Sequence, residues 1–169
     1  MSESRRERTI QWDDPLATAR KGLALAGRDY LAAMQSGELP LPPICRLVGF
    51  SIGEFEQGRV TMRLVPGEHH YNPLGVVHGG VAATLLDSVM GCAVHSALPA
   101  GRGYTTLEIK VNYLRAVGVD TGEITAEGRV IHVGRQIAMA EGRITDGHGT
   151  LYAAGVETCL VFDRPAGPQ

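Results

Sequence analysis

The alternation of apolar and polar positions divides the chain into two long helices and six strands. Apolar residues recur at helical spacing from Leu16 to Gln35, and a second helix is predicted from about Gly79 to Ala97. Strand-like runs fill most of the chain from residue 44 onward, at 44–56, 59–65, 103–117, 121–133, 136–145 and 150–162. The joints between the late strands are too short for parallel crossovers, so the sheet should be antiparallel. Such a sheet packed around one long helix is an α+β fold.

The same pattern separates an N-terminal extension, residues 1–43, from a main domain at 44–163. The extension should contain one helix, which Pro15 begins, and a stiff proline-rich linker at 38–43. The last residues, 164–169, are expected to form a disordered tail.

Composition narrows the class of protein. The chain has 169 residues, of which 44% are hydrophobic and 20% charged, and this balance excludes a disordered chain. The net charge of -2 gives no basic surface for nucleic acid. No apolar run approaches the roughly 18 residues of a transmembrane helix, and no secretory signal is visible. Three cysteines without a CxxC motif suit reduced thiols. We therefore expect a cytoplasmic protein without nucleic-acid or membrane partners.

Both sides of the 79–97 helix are predicted to be covered. One side is apolar and should face the sheet; it consists of Val81, Leu85, Leu86, Val89, Cys92 and Ala93. The opposite side consists of Gly80, Ala83, Thr84, Asp87, Gly91 and Val94. These residues are small, and Asp87 carries the only charge, whereas a solvent-exposed side normally carries Lys and Glu. A second helix or a ligand groove is therefore expected against the small side.

Asp87 is the candidate reactive group. No Lys or Arg lies within one helical turn of it, and a carboxylate with little water around it is costly unless it is paired or hydrogen-bonded. One interpretation is a structural Asp bonded to the backbone or to a loop side chain. The other is a base or nucleophile in a pocket. The uncharged, small-residue surroundings favour the second interpretation.

The start of the same helix is a candidate carbonyl-binding site. Gly79 and Gly80 would let a ligand approach the first free N–H groups, although a tight turn into the helix needs glycine equally. Gly79 and Asp87 are eight residues apart, which is about 12 Å along the helix axis, too far to serve one carbonyl group. Two antiparallel copies of the helix can bring Asp87 of one against Gly79 of the other. The spacing thus suggests a symmetric dimer with two composite sites.

Other common sites are not indicated. His78, Asp87 and His95 are separated by nine and eight residues, which is not the i, i+4 spacing of a zinc-binding pair on a helix. No nucleophile elbow, P-loop or dinucleotide-binding fingerprint occurs. We therefore predict that the protein needs no metal.

The segment from Asn72 to Asp87 resembles the motif of hotdog-fold acyl-CoA thioesterases, specifically the phenylacetate-pathway (PaaI-like) group. Six residues carry this resemblance through their identity and their relative positions: Asn72, Gly75, His78, Gly79, Gly80 and Asp87. It extends over about residues 44–162. It implies a hotdog fold, hydrolysis of acyl-CoA thioesters without a cofactor, and assembly into a homodimer or homotetramer. Asp87 would act as general base or nucleophile.

The resemblance also implies roles for other residues. The N–H of Gly79 would polarise the thioester carbonyl from the facing subunit, and Asn72 and His78 would organise the carbonyl and the water. Thr106 would assist. Simple alternation instead places Thr106 on the opposite side of its strand from the apolar residues Leu107, Ile109, Val111 and Tyr113, with Thr105 on their side; a bulge could reconcile the two interpretations. Substrate-binding roles are assigned to Gly80, Tyr113, Val133, Gly134 and Arg135. Arg135 has donors suited to phosphate, but a solvated turn arginine fits equally.

Two other functions remain open from the sequence. A non-catalytic acyl-CoA-binding module would keep the helix start but would not require Asp87. A hotdog hydratase or dehydratase would use a His/acid pair, which His78 and Asp87 could mimic. The spacing from Asn72 to Asp87 favours the thioesterase. The acyl group, and the choice between dimer and tetramer, are not predicted.

Overall fold

The computed structural model describes residues 5–164. Its helices are α1 (Pro15–Lys21), α2 (Gly27–Ser36), α3 (Pro43–Val48) and α4 (Gly79–Ser96). Its strands are β1 (Phe50–Glu56), β2 (Arg59–Leu64), β3 (Arg102–Tyr113), β4 (Ile124–Val133), β5 (Ile137–Asp146) and β6 (Leu151–Asp163). Short 3-10 turns occupy Gly22–Ala24, Glu68–His70 and Val119–Thr121. The tail predicted at 164–169 lies outside the described residues except for Arg164.

The six strands form one antiparallel sheet around α4. Their order across the sheet is β1-β2-β4-β5-β6-β3, so β1 and β3 are the edge strands. Leu85, Leu86, Val89 and Ala93 of α4 are fully buried. The predicted α+β hotdog fold, with a long helix and about six antiparallel strands, is confirmed.

Two of three aligned glycines, Gly128 and Gly142, let α4 lie directly on the sheet. Gly128, Gly142 and Gly155 are directly opposite one another on β4, β5 and β6. A Cβ atom on Gly128 would lie 2.5 Å from the backbone oxygen of Val89, and one on Gly142 would lie 2.8 Å from the side chain of Met90. The separation between helix and sheet is therefore set by the absence of side chains along this stripe.

The prediction of one continuous helix from 16 to 35 is wrong. The segment is divided into α1, a 3-10 turn and α2, because Ala26 is extended and the N–H of Gly27 donates to the Leu98 carbonyl. A Cβ atom on Gly27 would lie 1.7 Å from the carbonyl oxygen of His95, so this glycine allows α2 to touch the end of α4. Packing against α4 therefore determines where the second helix begins.

The prediction of a strand over 44–56 is also wrong in its first half. Residues Pro43–Val48 form α3, with a proline in its first turn and with Gly49 at φ +94° ending it. β1 starts only at Phe50. The run at 44–48 is apolar except for Arg46, and a run this short does not distinguish a strand from a short helix. Within residues 5–164, no helix is both long enough and apolar enough to span a bilayer.

Candidate active site

A chain of three polar side chains links α4 to the sheet. The Thr106 hydroxyl on β3 lies 2.9 Å from Asp87 Oδ1 on α4 and 2.9 Å from Glu157 Oε1 on β6. Asp87 and Thr106 are half-buried, whereas Glu157 is only 1% exposed. The carboxyl group that the sequence singled out therefore has a hydrogen-bonding partner from the sheet and a second carboxyl group beyond it.

A bulge turns Thr106 towards Asp87. The pairing of β3 with β6 shifts between Thr106 and Glu108, so that one extra residue is inserted into β3. Thr106 therefore points inward before the bulge, and Ile109 packs against the core after it. The prediction that Thr105 lies on the apolar side with Leu107 is wrong, since both are exposed.

Glu157 is a residue of this site that is not among those predicted from the sequence. Burial raises the pKa of its carboxyl group to about 7; hydrogen bonds from Cys159 and Thr106 lower that pKa, and the nearby Asp87 raises it. Alternation along β6 carries a signal for it, because the buried positions of this strand recur at every second residue: Ala153, Gly155, Glu157, Cys159 and Val161. A lone acid on the inward side of a strand is uncommon and marks a candidate for function.

A small apolar cavity of about 190 Å³ opens beside Asp87 and Thr106. Its apolar walls come from the extension, from α3 and from the first two strands: Met34, Ile44, Cys45, Phe50, Ile52 and Met62. Cys92 also lines it, and burial raises the pKa of this thiol to about 12, so it stays protonated. The cavity brings a carboxylate to the edge of a space suited to a hydrocarbon group.

The loop before α4 is organised by Asn72 and His78. The side-chain oxygen of Asn72 accepts the N–H of Leu74 at 2.8 Å, which closes a tight turn. His78 Nδ1 accepts the N–H of Gly80 at 2.9 Å, so the proton of this neutral ring is on Nε2, which is then a donor. Both side chains therefore shape the loop that leads into α4.

Gly79 lies in a different cavity from Asp87. This second space of about 390 Å³ is also lined by Tyr113, whose ring would be 3.3 Å from a Cβ atom on Gly79. Of the predicted site residues, Gly79 and Tyr113 line this space, and His78 and Gly80 adjoin Gly79 in the chain. Asp87 lies about 12 Å further along the helix axis, with Thr106 beside it. One chain does not bring the two groups together.

The predicted substrate-binding turn Val133-Gly134-Arg135 lies at the other end of α4. It joins β4 to β5, with the Gly134 N–H donating to the Ile137 carbonyl. The same end of β4 contacts Gly58, whose N–H donates to the Ser96 hydroxyl in the last turn of α4. Within one chain this turn is thus remote from Gly79 and Tyr113.

No cluster of three or more His, Cys, Asp or Glu side chains within residues 5–164 is arranged to hold a metal ion. The densest charged group lies on the sheet, where Glu127 pairs with Arg59, Arg129 and Arg143. Burial raises the pKa of Glu127, but hydrogen bonds from Arg129 and Arg59 outweigh it and bring the pKa to about 2. This acid is therefore satisfied by ion pairs and is not a candidate base.

Comparison with known proteins relates residues 74–153 to the family described as the thioesterase superfamily. A provisionally named esterase of Halobacterium salinarum is 35% identical over 99 residues, 56% of this chain and 64% of that protein, so this chain spans less than two thirds of that relative. The 1,4-dihydroxy-2-naphthoyl-CoA hydrolase of Listeria monocytogenes is 28% identical over 59% of this chain and 79% of its own. A phenylacetic acid degradation-related protein of Ralstonia eutropha is 27% identical, with a TM-score of 0.71 over 78% of this chain and 98% of its own.

Proposed function

This chain belongs to the thioesterase superfamily, and from that premise we propose that it hydrolyses acyl-CoA thioesters to a free acid and coenzyme A. The observation that carries the proposal is the Asp87 carboxyl group, hydrogen-bonded to Thr106 at the wall of an apolar cavity. The name of the Listeria relative, a CoA-thioester hydrolase, supports the same class of substrate.

Asp87 would supply the base for hydrolysis. As a general base, its carboxylate takes a proton from a water molecule, whose oxygen attacks the thioester carbonyl; the tetrahedral intermediate then expels the CoA thiolate, which is protonated. As a nucleophile, it would instead attack the thioester carbonyl itself; the C–S bond breaks, the CoA thiolate leaves and is protonated, and an anhydride with the acyl group forms. Water then hydrolyses the anhydride to the free acid and regenerates the Asp87 carboxylate. Thr106 holds the carboxylate in orientation in either case.

The carbonyl would be polarised by the N–H of the partner's Gly79. The axial separation of about 12 Å between Gly79 and Asp87 prevents one chain from supplying both groups to one carbonyl. In the single chain, the first half of the small-residue side of α4 remains open, with Gly80 exposed and Ala83 and Thr84 half-buried. We propose that a second α4, antiparallel to the first, covers this side.

The same dimer would bring the remaining predicted residues to one site. When two helices are antiparallel, the C-terminal end of one lies beside the N-terminal end of the other. The Val133–Arg135 turn of one subunit would thus approach the partner's His78 and Tyr113. There Arg135 could bind a phosphate group of coenzyme A through its planar guanidinium.

The acyl group would enter the cavity beside Asp87. With about 190 Å³ it is smaller than the roughly 300–1,000 Å³ of sites that hold a whole drug-sized ligand, so it suits the acyl part alone. Its walls include Met34 and Ile44, so the extension and α3 would contribute to the choice of acyl group.

The decisive experiment measures thiol release from a panel of acyl-CoAs, from short aliphatic to aryl-acyl groups. We expect catalytic release of free coenzyme A with at least one member of the panel. Binding of acyl-CoA without thiol release would instead support the non-catalytic module, and hydration of an enoyl-CoA would support the hydratase. Either outcome would overturn the proposed function.

A further inference from the structure

Two carboxyl groups compete for one hydroxyl proton in the site. The oxygen of Thr106 is 2.9 Å from both Asp87 and Glu157, but a hydroxyl group has only one proton to donate. If both carboxyl groups were ionised, one of these contacts would place two acceptors against each other. At least one of the two acids must therefore supply a proton to this chain of contacts.

We propose that Glu157 is a positioning residue that aims the Thr106 hydroxyl at Asp87, and that it does so only while its own carboxyl group is protonated. The proposal rests on the proposed function in one respect, namely that Asp87 is the reacting carboxylate. Glu157 does not touch the cavity and is not itself a catalytic residue.

Burial indicates that Glu157, and not Asp87, holds the proton. Glu157 is 1% exposed, and its Oε2 atom has no hydrogen-bonding partner among residues 5–164, whereas Asp87 lines the cavity, where water can reach it. An ionised carboxylate with a buried, unpartnered oxygen is much costlier than a neutral acid.

The surroundings of Glu157 do not compensate a negative charge. The titratable groups that face it are Asp87 and Cys92 from α4, Tyr104 from β3 and Cys159 from β6, and the Cys159 thiol lies 2.9 Å from Oε1. No cationic side chain of residues 5–164 forms an ion pair with it. The pKa of Glu157, raised to about 7 chiefly by burial, agrees with a neutral acid that ionises near neutral pH.

The two protonation states give two arrangements of Thr106. With a proton on Oε1, Glu157 donates to the Thr106 oxygen, and Thr106 donates its own proton to Asp87. When Glu157 ionises, it becomes an acceptor that competes for the Thr106 proton, and its charge faces that of Asp87. Asp87 then loses the hydrogen bond that orients it, so turnover should fall as pH rises through the pKa of Glu157.

The test is the pH dependence of kcat in the wild-type protein and in Glu157→Gln. The glutamine amide donates to Thr106 at every pH. This variant should therefore lack the fall in kcat that is expected for the wild type above about pH 7, and its kcat at about pH 8.5 should be at least threefold higher than that of the wild type. KM should not follow the same curve, because Glu157 does not touch the substrate. Retention of the wild-type fall by Glu157→Gln would overturn the proposal.

Glu141→Gln is the matched control. Glu141 lies on neighbouring β5 but is exposed, so the same chemical change there should leave the pH profile as in the wild type. If Glu141→Gln also lost the fall in kcat above about pH 7, that fall would reflect the overall charge of the protein and not the protonation of Glu157.

An infrared measurement tests the proton without requiring turnover. A protonated carboxyl band should be present at about pH 6, diminish by about pH 8, be absent in Glu157→Gln and persist at pH 6 in Asp87→Asn. Absence of this band at pH 6 in the wild-type protein would overturn the proposal even if the protein is an active thioesterase. A protein that shows the band but releases no thiol would refute the proposed function alone.

Discussion

At the scale of single residues, the Asp87 carboxylate is held by a hydroxyl from a different element of the fold. Thr106 fixes the orientation of one of its oxygens, and the other side of the carboxyl group faces the cavity. An amide at position 87 has nearly the same shape, and it can still accept the Thr106 hydrogen bond through its oxygen. It cannot accept a proton from water or attack a carbonyl group.

Asp87→Asn should therefore abolish turnover without unfolding the protein. We expect kcat to fall by about 10²-fold or more, because a general base is removed while the contact with Thr106 is preserved. The measurement is kcat of the variant together with its thermal unfolding curve. A folded variant with activity within about tenfold of the wild type would show that Asp87 is not the base.

Which site residues could be predicted depended on whether they share an element. Gly79 and Asp87 lie on one regular helix, so their separation follows from the rise per residue. The direction of Thr106 could not be derived, because a bulge changes the alternation of β3 in mid-strand. Glu157 points inward on β6, where buried positions recur at every second residue. Alternation alone could therefore have predicted its direction.

At the scale of elements, the segments whose structure differs most from the prediction are those that form the wall of the cavity beside Asp87. The number of strands from β2 onward and the bounds of α4 to within one residue were predicted from periodicity and turn residues, although the run predicted at 103–117 ends as a strand at Tyr113. The segments before β1 were not predicted correctly, because contacts with α4 divide the first helix and the run after the prolines folds into α3. Those two segments supply Met34, Ile44 and Cys45 to the wall beside Asp87.

Substitution of Ile44 by tryptophan should change the preferred acyl group. The larger side chain would fill part of the cavity, so we expect kcat/KM for the longest accepted acyl-CoA to fall by about tenfold, with acetyl-CoA much less affected. Leu47→Trp is the matched control, because Leu47 is 57% exposed on the same short helix and does not line the cavity. Equal losses for all acyl lengths in Ile44→Trp would contradict this assignment of the cavity.

At the scale of the whole molecule, the proposed site is completed by a second copy of the chain. Each chain contributes two separate halves, one around Gly79 and one around Asp87, and these open into different cavities. In a symmetric dimer each half meets the complementary half of the other subunit, so two complete sites result. An active monomer at assay concentration, detected by light scattering, would contradict this arrangement.

Mixing of two inactive variants tests the composite site directly. Asp87→Asn removes the base, and Gly79→Val adds bulk where the carbonyl must approach, so each homodimer should be inactive. In a heterodimer one site receives both defects and the other receives neither. Mixed and refolded subunits should thus recover up to about a quarter of wild-type activity if the sites act independently. Heterodimers that form but remain inactive would show that Asp87 acts with a donor of its own subunit.

The stripe formed by Gly128, Gly142 and Gly155 affects how precisely the site residues are positioned relative to one another. Asp87 is carried by the helix, whereas Thr106 and Glu157 are carried by the sheet, so the two layers must keep one spacing for the hydrogen-bonded chain to exist. That spacing is fixed at positions that have no side chain and that take no part in the chemistry. A single methyl group added at Gly128 would move the helix away from the sheet and lengthen the Asp87–Thr106 contact, whereas the Thr106–Glu157 contact lies within the sheet and would remain. The geometry of the proposed site therefore depends on backbone positions that never meet the substrate.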